Sequence, residues 1–495
     1  MGLLTCLVGP LMILLLARPL SPGSPPSSTA VVAQLLVIVY AGVRLAGIAL
    51  RGRPTIFRLT FWVFVYVWMG IAPLAQLLGR SFPPLAPGYF SDSVTIEATV
   101  IVLVGIVAFD AGRYLAGRRP RSVGLGRVFG SREIVPRRSI VLAVLVILTS
   151  PFFVVKLGGL QNLFVSRAHF QTTLAGGLLP ESDKSFGAFT VVFAEVPAFA
   201  ALFTMWQALK TKTLNPVHRR AIHLLLPLVV GVNLLFNNPI ITSRYWFGTM
   251  ALAFVFMGGW ILRAALVRAT VVAAVVAASL AFSHADYFRT TGGHVTKVTP
   301  IETFQIGNDY DAQQEVRATV LYTNTFGHTI GRQLLGPLLF WYPRKFWPNK
   351  PEDTGIVLAK FRQYPYTNVS GPLWSEAFID FGYPGVVIYL MALGNFTAAL
   401  DEEFMRWKWR ANRLNLAVLL SAIFAAYQFI ILRGSLLQAM AQSSVVVFVF
   451  LLLSRRRRQP AIGGSILDDA AITPAARYRS TPKLESRDAP AAPLT

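Results

Sequence analysis

The chain is poor in charge, in cysteine and in acid. Charged residues make up 14% of its 495 positions, against about a quarter in an ordinary soluble domain. The apolar residues that replace them come in long runs, which excludes a soluble globular protein and reads as a polytopic membrane protein. A single cysteine, Cys6, excludes an internal disulfide and a thiolate metal centre. Acids number 23 against 46 Lys and Arg, a formal charge of +23. Much of that excess lies in short loops between apolar runs. It therefore reads as a topology signal rather than as a nucleic-acid surface, and no nucleic-acid partner is expected. Phosphate-loop glycines, paired CxxC motifs and Ser-His-Asp spacings are missing as well.

What is there is an all-α pattern. Runs of spanning length cover 30–50, 56–78, 94–116, 138–156, 187–209, 220–236, 246–262, 269–285, 373–398, 415–432 and 436–453, with a weaker first run at 3–17. That predicts about twelve transmembrane helices, or eleven if the first run does not span. Cations fall in alternate loops, as in Arg51, Arg53 and Arg58, then Arg118 to Arg138, then Lys210 to Arg220, then Arg406 to Arg413 and Arg455 to Arg458. By the positive-inside rule both termini are cytoplasmic. The expected organisation is N-terminal helices over 1–285, a large extracytoplasmic loop over 286–371, C-terminal helices over 372–454 and a disordered basic cytoplasmic tail over 455–495.

Chemistry is expected on the long loop. Pro343-Arg344-Lys345-Phe346-Trp347-Pro348-Asn349-Lys350-Pro351 combines three cations, two aromatics and three prolines that bar regular helix. Cations attract phosphate and aromatic faces pack on sugar rings; the same mixture also suits a membrane-interface loop. Gly336 to Tyr342 is apolar but too short to span, and reads as a re-entrant or interfacial segment. Further outward cations are Arg167, Arg244, Arg289 and Arg332, with His169 and His328 nearby in sequence. Arg244 lies in an otherwise uncharged short loop, where a guanidinium either snorkels or binds an anion. Glu195 sits inside an apolar run, a functional position by default. Glu376 and Asp380 are spaced i, i+4 and share a helix face, so one is a candidate base. Asp309-Tyr310-Asp311 has the acid-x-acid form that holds a divalent metal in many glycosyltransferases, but no third ligand is spaced near it, and neither a metal nor a cofactor is expected.

The Pro343–Pro351 core, Gly355 after it with ten residues between it and Arg344, and Glu376-Ala-Phe-Ile-Asp-Phe-Gly382 downstream resemble the bacterial oligosaccharide repeat-unit polymerases, the Wzy-like O-antigen polymerases. The order of parts also agrees: many helices, Ser243-Arg-Tyr-Trp246, and a large late loop. The resemblance covers about 240–385. It implies a GT-C-like glycosyltransferase that joins undecaprenyl-pyrophosphate-linked repeat units at the outer face of the cytoplasmic membrane. The implied partners are lipid-linked oligosaccharide donor and acceptor, membrane lipids, a flippase and a chain-length regulator. Arg244, Arg289 and Arg344 would face pyrophosphate, supported by Lys350 and Arg332. Glu376, or else Glu195 or His328, would serve as base, with Trp347 and Asp380 lining the substrate. A glycan ligase and an anion or polysaccharide transporter are the alternatives.

Overall fold

Apolar runs become helices wherever no polar water is available to their backbone, because each peptide then bonds within its own segment. The computed structural model describes residues 2–20, 25–81, 90–118, 129–165, 169–170, 184–211, 214–259, 263–285, 299–364, 366–367, 369–410 and 414–456. Met1–Arg455 form one compact unit. Of the expected tail over 455–495 all but Arg455 and Arg456 lie outside the described residues, as do Arg167 and Arg289.

The helices are α1 (Gly2–Leu16), α2 (Ser28–Arg51), α3 (Ile56–Gly79, with π-helical turns at Val65–Ile71), α4 (Asp92–Arg118), α5 (Pro136–Lys156), α6 (Lys184–Leu209), α7 (Pro216–Phe236) and α8 (Arg244–Phe256). They continue as α9 (Ala264–Ala285), α10 (Pro300–Ile306), α11 (Ala312–Phe326), α12 (Arg332–Leu338), α13 (Thr354–Phe361), α14 (Leu373–Arg410), α15 (Leu416–Arg433) and α16 (Leu436–Leu453). Nine of the described helices are long and apolar enough to cross a membrane: α2 to α7 and α14 to α16. Three expected spans fall short of that measure. The run at 3–17 forms the 15-residue α1. The run at 246–262 forms the 13-residue α8, about 20 Å at 1.5 Å per residue. It stops where the glycine pair Gly258-Gly259 follows, residues that favour leaving a helix. The run at 269–285 lies in α9, whose described apolar stretch ends at Ser279.

Close packing at the centre depends on glycine. A Cβ on Gly112 of α4 would lie 2.0 Å from the Met391 carbonyl oxygen, and one on Gly394 of α14 would lie 2.0 Å from that of Phe109. Only hydrogen at these positions lets the two helix backbones touch, the small-residue contact common between membrane helices. Beside this seam Phe61 stacks on Phe109 at 3.4 Å, and Trp374 stacks near both Phe61 and Phe64.

The two ends of the bundle are chemically distinct. At one end the basic loops converge. Arg113 pairs with Asp401 at 2.9 Å, and Asp401 also accepts from the Phe57 and Arg58 amides. Ile134 bonds Leu414 across neighbouring loops, and Lys408 donates to the Met257 carbonyl. At the other end lies the interval after α9. Gln76 on α3 donates to the carbonyls of Phe304 and Tyr310 there. The interval packs on the helix ends as a loop without disulfides must. One part goes deeper: α11 enters the bundle with ten buried residues, including Gln313, Gln314, Glu315 and Arg317. Gln313 donates to Gln34 of α2 at 2.9 Å and to Thr99 of α4 at 3.0 Å.

Candidate functional site

The interval's first feature is a clamped turn. Residues Asn308–Tyr310 form one 3-10 turn, and several elements fasten its carbonyls. Arg433, the last residue of α15, donates to the Asn308 and Asp309 carbonyls and to Asp311 Oδ1 at 2.9 Å. Trp68 Nε1 and the Tyr245 hydroxyl both donate to the Asp309 carbonyl. Arg244 pairs with the Asp309 carboxylate, and Asp311 Oδ2 accepts from the Ser370 amide. Burial pushes the Asp311 carboxyl above its usual range, with Arg433 opposing the shift. Arg244 is thus engaged with an aspartate rather than presented alone to an anion.

Both aspartates of the acid-x-acid motif face guanidinium groups, and this arrangement favours the absence of a metal requirement. The glycosyl transfer that the sequence resemblance implies is expected to persist in EDTA. Loss of activity that Mg²⁺ or Mn²⁺ restores, and that Asp309→Ala mimics, would reverse this reading.

Three carboxylates then tie the interval to the C-terminal helices. Glu376 accepts from the Thr354 hydroxyl at 2.8 Å and from the Leu436 amide at 3.1 Å, bracketing the starts of α13 and α16. Asp353 caps α13 through the Gly355 amide and accepts from the Ser435 hydroxyl. Asp380 accepts from Thr329 Oγ1 and from the Gln333 and Leu334 amides at the start of α12. Glu376 and Asp380 share α14 as the i, i+4 spacing requires, yet serve different elements. Gly382 follows with φ +62, breaking α14 where His328 packs against it; an L side chain is strained there. His328 also meets Phe378 edge-on. Glu376 can act as a base only after Thr354 gives way, because both its oxygens are engaged and it is 3% exposed. Glu195 lies elsewhere: it is buried on α6, its carbonyl accepting from Asn237 of the loop after α7.

The third feature is the strap of residues 340–351. Phe346 bonds back to Pro343, Trp347 to Arg344 and Lys350 to Trp347, a chain of tight turns. The strap's own cations close it. Arg344 donates to the carbonyls of Lys350 at 2.7 Å and Pro351 at 3.1 Å. Lys350 Nζ donates to those of Phe340 and Tyr342, and Arg332 reaches the Asn349 carbonyl at 3.4 Å. Burial and the nearby Arg344 lower the Lys350 ammonium.

Among the described residues no carboxylate pairs with Arg332, Arg344, Lys345 or Lys350. Arg44, Arg113, Arg244, Lys360, Arg406 and Arg433 each have one. The structure therefore brings Arg332, Arg344, Lys350 and Trp347 together on one surface element, with Asp380 holding its root. Arg244 stands apart on the clamped turn.

Sequence reasoning missed Arg433 and Glu315, which form an interior charge set with Asp311 and Tyr364, and it missed the buried Arg317; Tyr364 it read only as an aromatic lining the glycan path. Glu315 and Arg317 are both buried on α11. Burial, with Asp311 nearby, raises the Glu315 carboxyl well above its usual range. Burial lowers the Arg317 guanidinium to about 10. Arg433 carried a readable signal, a cation closing an apolar run at the end opposite the basic loops. The helix α11 carried none, because its composition is that of an exposed helix. The chain matches no protein-family model, no curated protein and no solved structure.

Proposed function

We propose that the chain is a polymerising glycosyltransferase, which transfers a growing glycan from a lipid pyrophosphate to a lipid-linked repeat unit. The observation that carries this reading is the set of cations on the strap with no carboxylate partner among the described residues. The exposed Arg332, Arg344 and Lys345, with the buried Lys350 behind them, are like charges on a segment closed by bonds to backbone carbonyls and repel one another in the free protein. The repulsion is relieved when a polyanion arrives. A pyrophosphate leaving group gathers charge on its oxygens in the transition state, and guanidiniums fixed beforehand stabilise that charge without reorganising. Arg344 and Arg332 would take the phosphate oxygens, with Lys350 and Lys345 adding charge and Trp347 facing the glycan. Glu376 remains the proposed base, released from Thr354 when the acceptor hydroxyl binds.

The same reading places the enzyme in the bacterial cytoplasmic membrane with the strap outside and both termini inside. Eleven crossings are supported, nine by length and hydropathy and two by the anchoring of α8 and α9; α1 would be the twelfth. The chain after α8 meets Lys408 at the basic-loop end, whereas the α8 start meets Asp309 at the other. Helix α9 runs back, its Ala278 carbonyl accepting from Tyr310. The donor and acceptor are undecaprenyl-pyrophosphate glycans, and a flippase and a chain-length regulator are the expected partners.

Gene deletion with electrophoresis of the surface polysaccharide and analysis of lipid-linked intermediates tests the activity. Single-repeat glycans are the expected result. Long chains stranded on the carrier lipid would assign a ligase instead, and unchanged glycans would remove the reading. Orientation is tested separately: cysteines placed at the exposed Asn308 and at Arg127 should differ in labelling by an impermeant thiol reagent in intact cells. Equal labelling, with Cys6 replaced by serine, would refute the topology.

A further inference from the structure

From α12 through the strap, the chain exposes large apolar side chains beside its cations. Ile330, Leu335, Leu338, Trp341 and Phe346 are all exposed, Trp341 at 64% and Phe346 at 68%. The rings of Trp341, Tyr342 and Phe346 lie in sequence against one another, at 5.9 and 6.2 Å between centroids. Residues 330–350 contain Arg332, Arg344, Lys345 and Lys350 and not one acid. The element is rooted on the bundle's rim, where Asp380 of α14 holds the start of α12, and α12 packs against α14 and α16.

Several large apolar side chains left in contact with water along one short segment are unfavourable and mark a binding face. Aromatics and cations interleaved at the rim of a helical bundle fit one environment in particular. Rings sit at the headgroup level, their apolar bodies among the upper acyl carbons, while guanidinium and ammonium groups meet lipid phosphates. The prolines Pro343, Pro348 and Pro351 keep the strap from becoming a helix that could bury itself in the bundle.

We propose that α12 and the strap form an interfacial anchor, inserted into the adjoining leaflet by Leu338, Trp341 and Phe346 and held there by Arg332, Arg344 and Lys345 on anionic headgroup phosphates. The anchor holds the cations at phosphate depth. A lipid-borne phosphate, unlike a soluble one, then reaches them by lateral diffusion. The insertion does not depend on the polymerase reading, because it concerns depth and headgroup, not turnover.

The test uses the full-length protein with Cys6→Ser, reconstituted in phosphatidylcholine vesicles with or without phosphatidylglycerol. A spin label is attached at Phe346→Cys, and in a control at Lys360→Cys, an exposed position on the same interval. Collisions with dissolved oxygen should dominate at 346, and collisions with an aqueous nickel complex should dominate at 360. A label at 346 as open to nickel as that at 360 would overturn the anchor and leave the patch to a protein partner.

The headgroup part is read from enrichment of spin-labelled phosphatidylglycerol around the protein. Replacing Lys345 by glutamine should reduce it about fivefold, the gain expected from one cation near an anionic surface. Arg332→Gln should act similarly. Unchanged enrichment in both variants would overturn the phosphate contact. So would its abolition by millimolar inorganic phosphate, which would assign the cations to a soluble anion. The label at 346, carried in each variant and still immersed, excludes misfolding as the cause of a changed enrichment.

Discussion

Cells whose only copy of the gene carries Arg344→Ala are expected to make single-repeat glycans in place of long chains. Removing one pre-aimed donor from a charge-stabilising site typically lowers the rate by about 10²–10³. Two of the Arg344 donors are fixed on the Lys350 and Pro351 carbonyls. A guanidinium has five donors in one plane, so this attachment aims the remainder away from the loop. Arg344→Lys is expected to fail substantially as well, since an ammonium cannot bridge two carbonyls and present a planar edge. Arg332→Lys should be milder, because Arg332 holds a single carbonyl at 3.4 Å.

The measurement is polysaccharide length together with the amount of protein in the membrane. Short chains at normal abundance would support the role in transfer. Normal chains in the Arg344→Ala strain would falsify that role, and low abundance would make the guanidinium a structural clip. The strap lies on the surface and contributes little to the core, so abundance is expected to hold.

How far the sequence reaches is visible in these same residues. The spans were legible because hydrocarbon permits few backbone solutions, and nine of the described helices follow directly from length and hydropathy. The apolar run of α8 extends six residues past the end of the helix, through Gly258-Gly259, so hydropathy alone does not mark where it stops. The strap's cations and aromatics were visible as a composition. Their mutual closure by backbone carbonyls was not, since it depends on which turns the prolines select. Arg244 looked like a lone outward cation because its partner, Asp309, is 65 positions away. The interior position of α11 was hidden for a related reason. Its Gln, Glu, Arg and Thr read as a solvated helix, and only tertiary partners such as Gln34 and Thr99 make its burial affordable.

The largest expected loss of stability comes from Arg433→Ala. Arg433 gathers three ties on the clamped turn, two to carbonyls and one to the Asp311 carboxylate, and lies over the Tyr245 ring at 4.8 Å. Its removal leaves Asp311, a side chain only 7% exposed, without its cation. Breaking a buried pair from one side costs about 3–5 kcal/mol, and the partial exposure of Arg433 at 16% argues for the lower figure. A loss of that size should reduce the protein in the membrane several-fold and lower its unfolding temperature in detergent. Arg433→Lys keeps the charge but not all three ties, and should fall between. The decisive comparison is the double variant Arg433→Met with Asp311→Leu, which removes both charges and fills their volume. It should recover most of the lost stability, because the damage in the single variant is the stranded carboxylate rather than the missing contact. A double variant no better than Arg433→Ala would show instead that the carbonyl ties of the turn, and not the ion pair, hold the interval to the bundle.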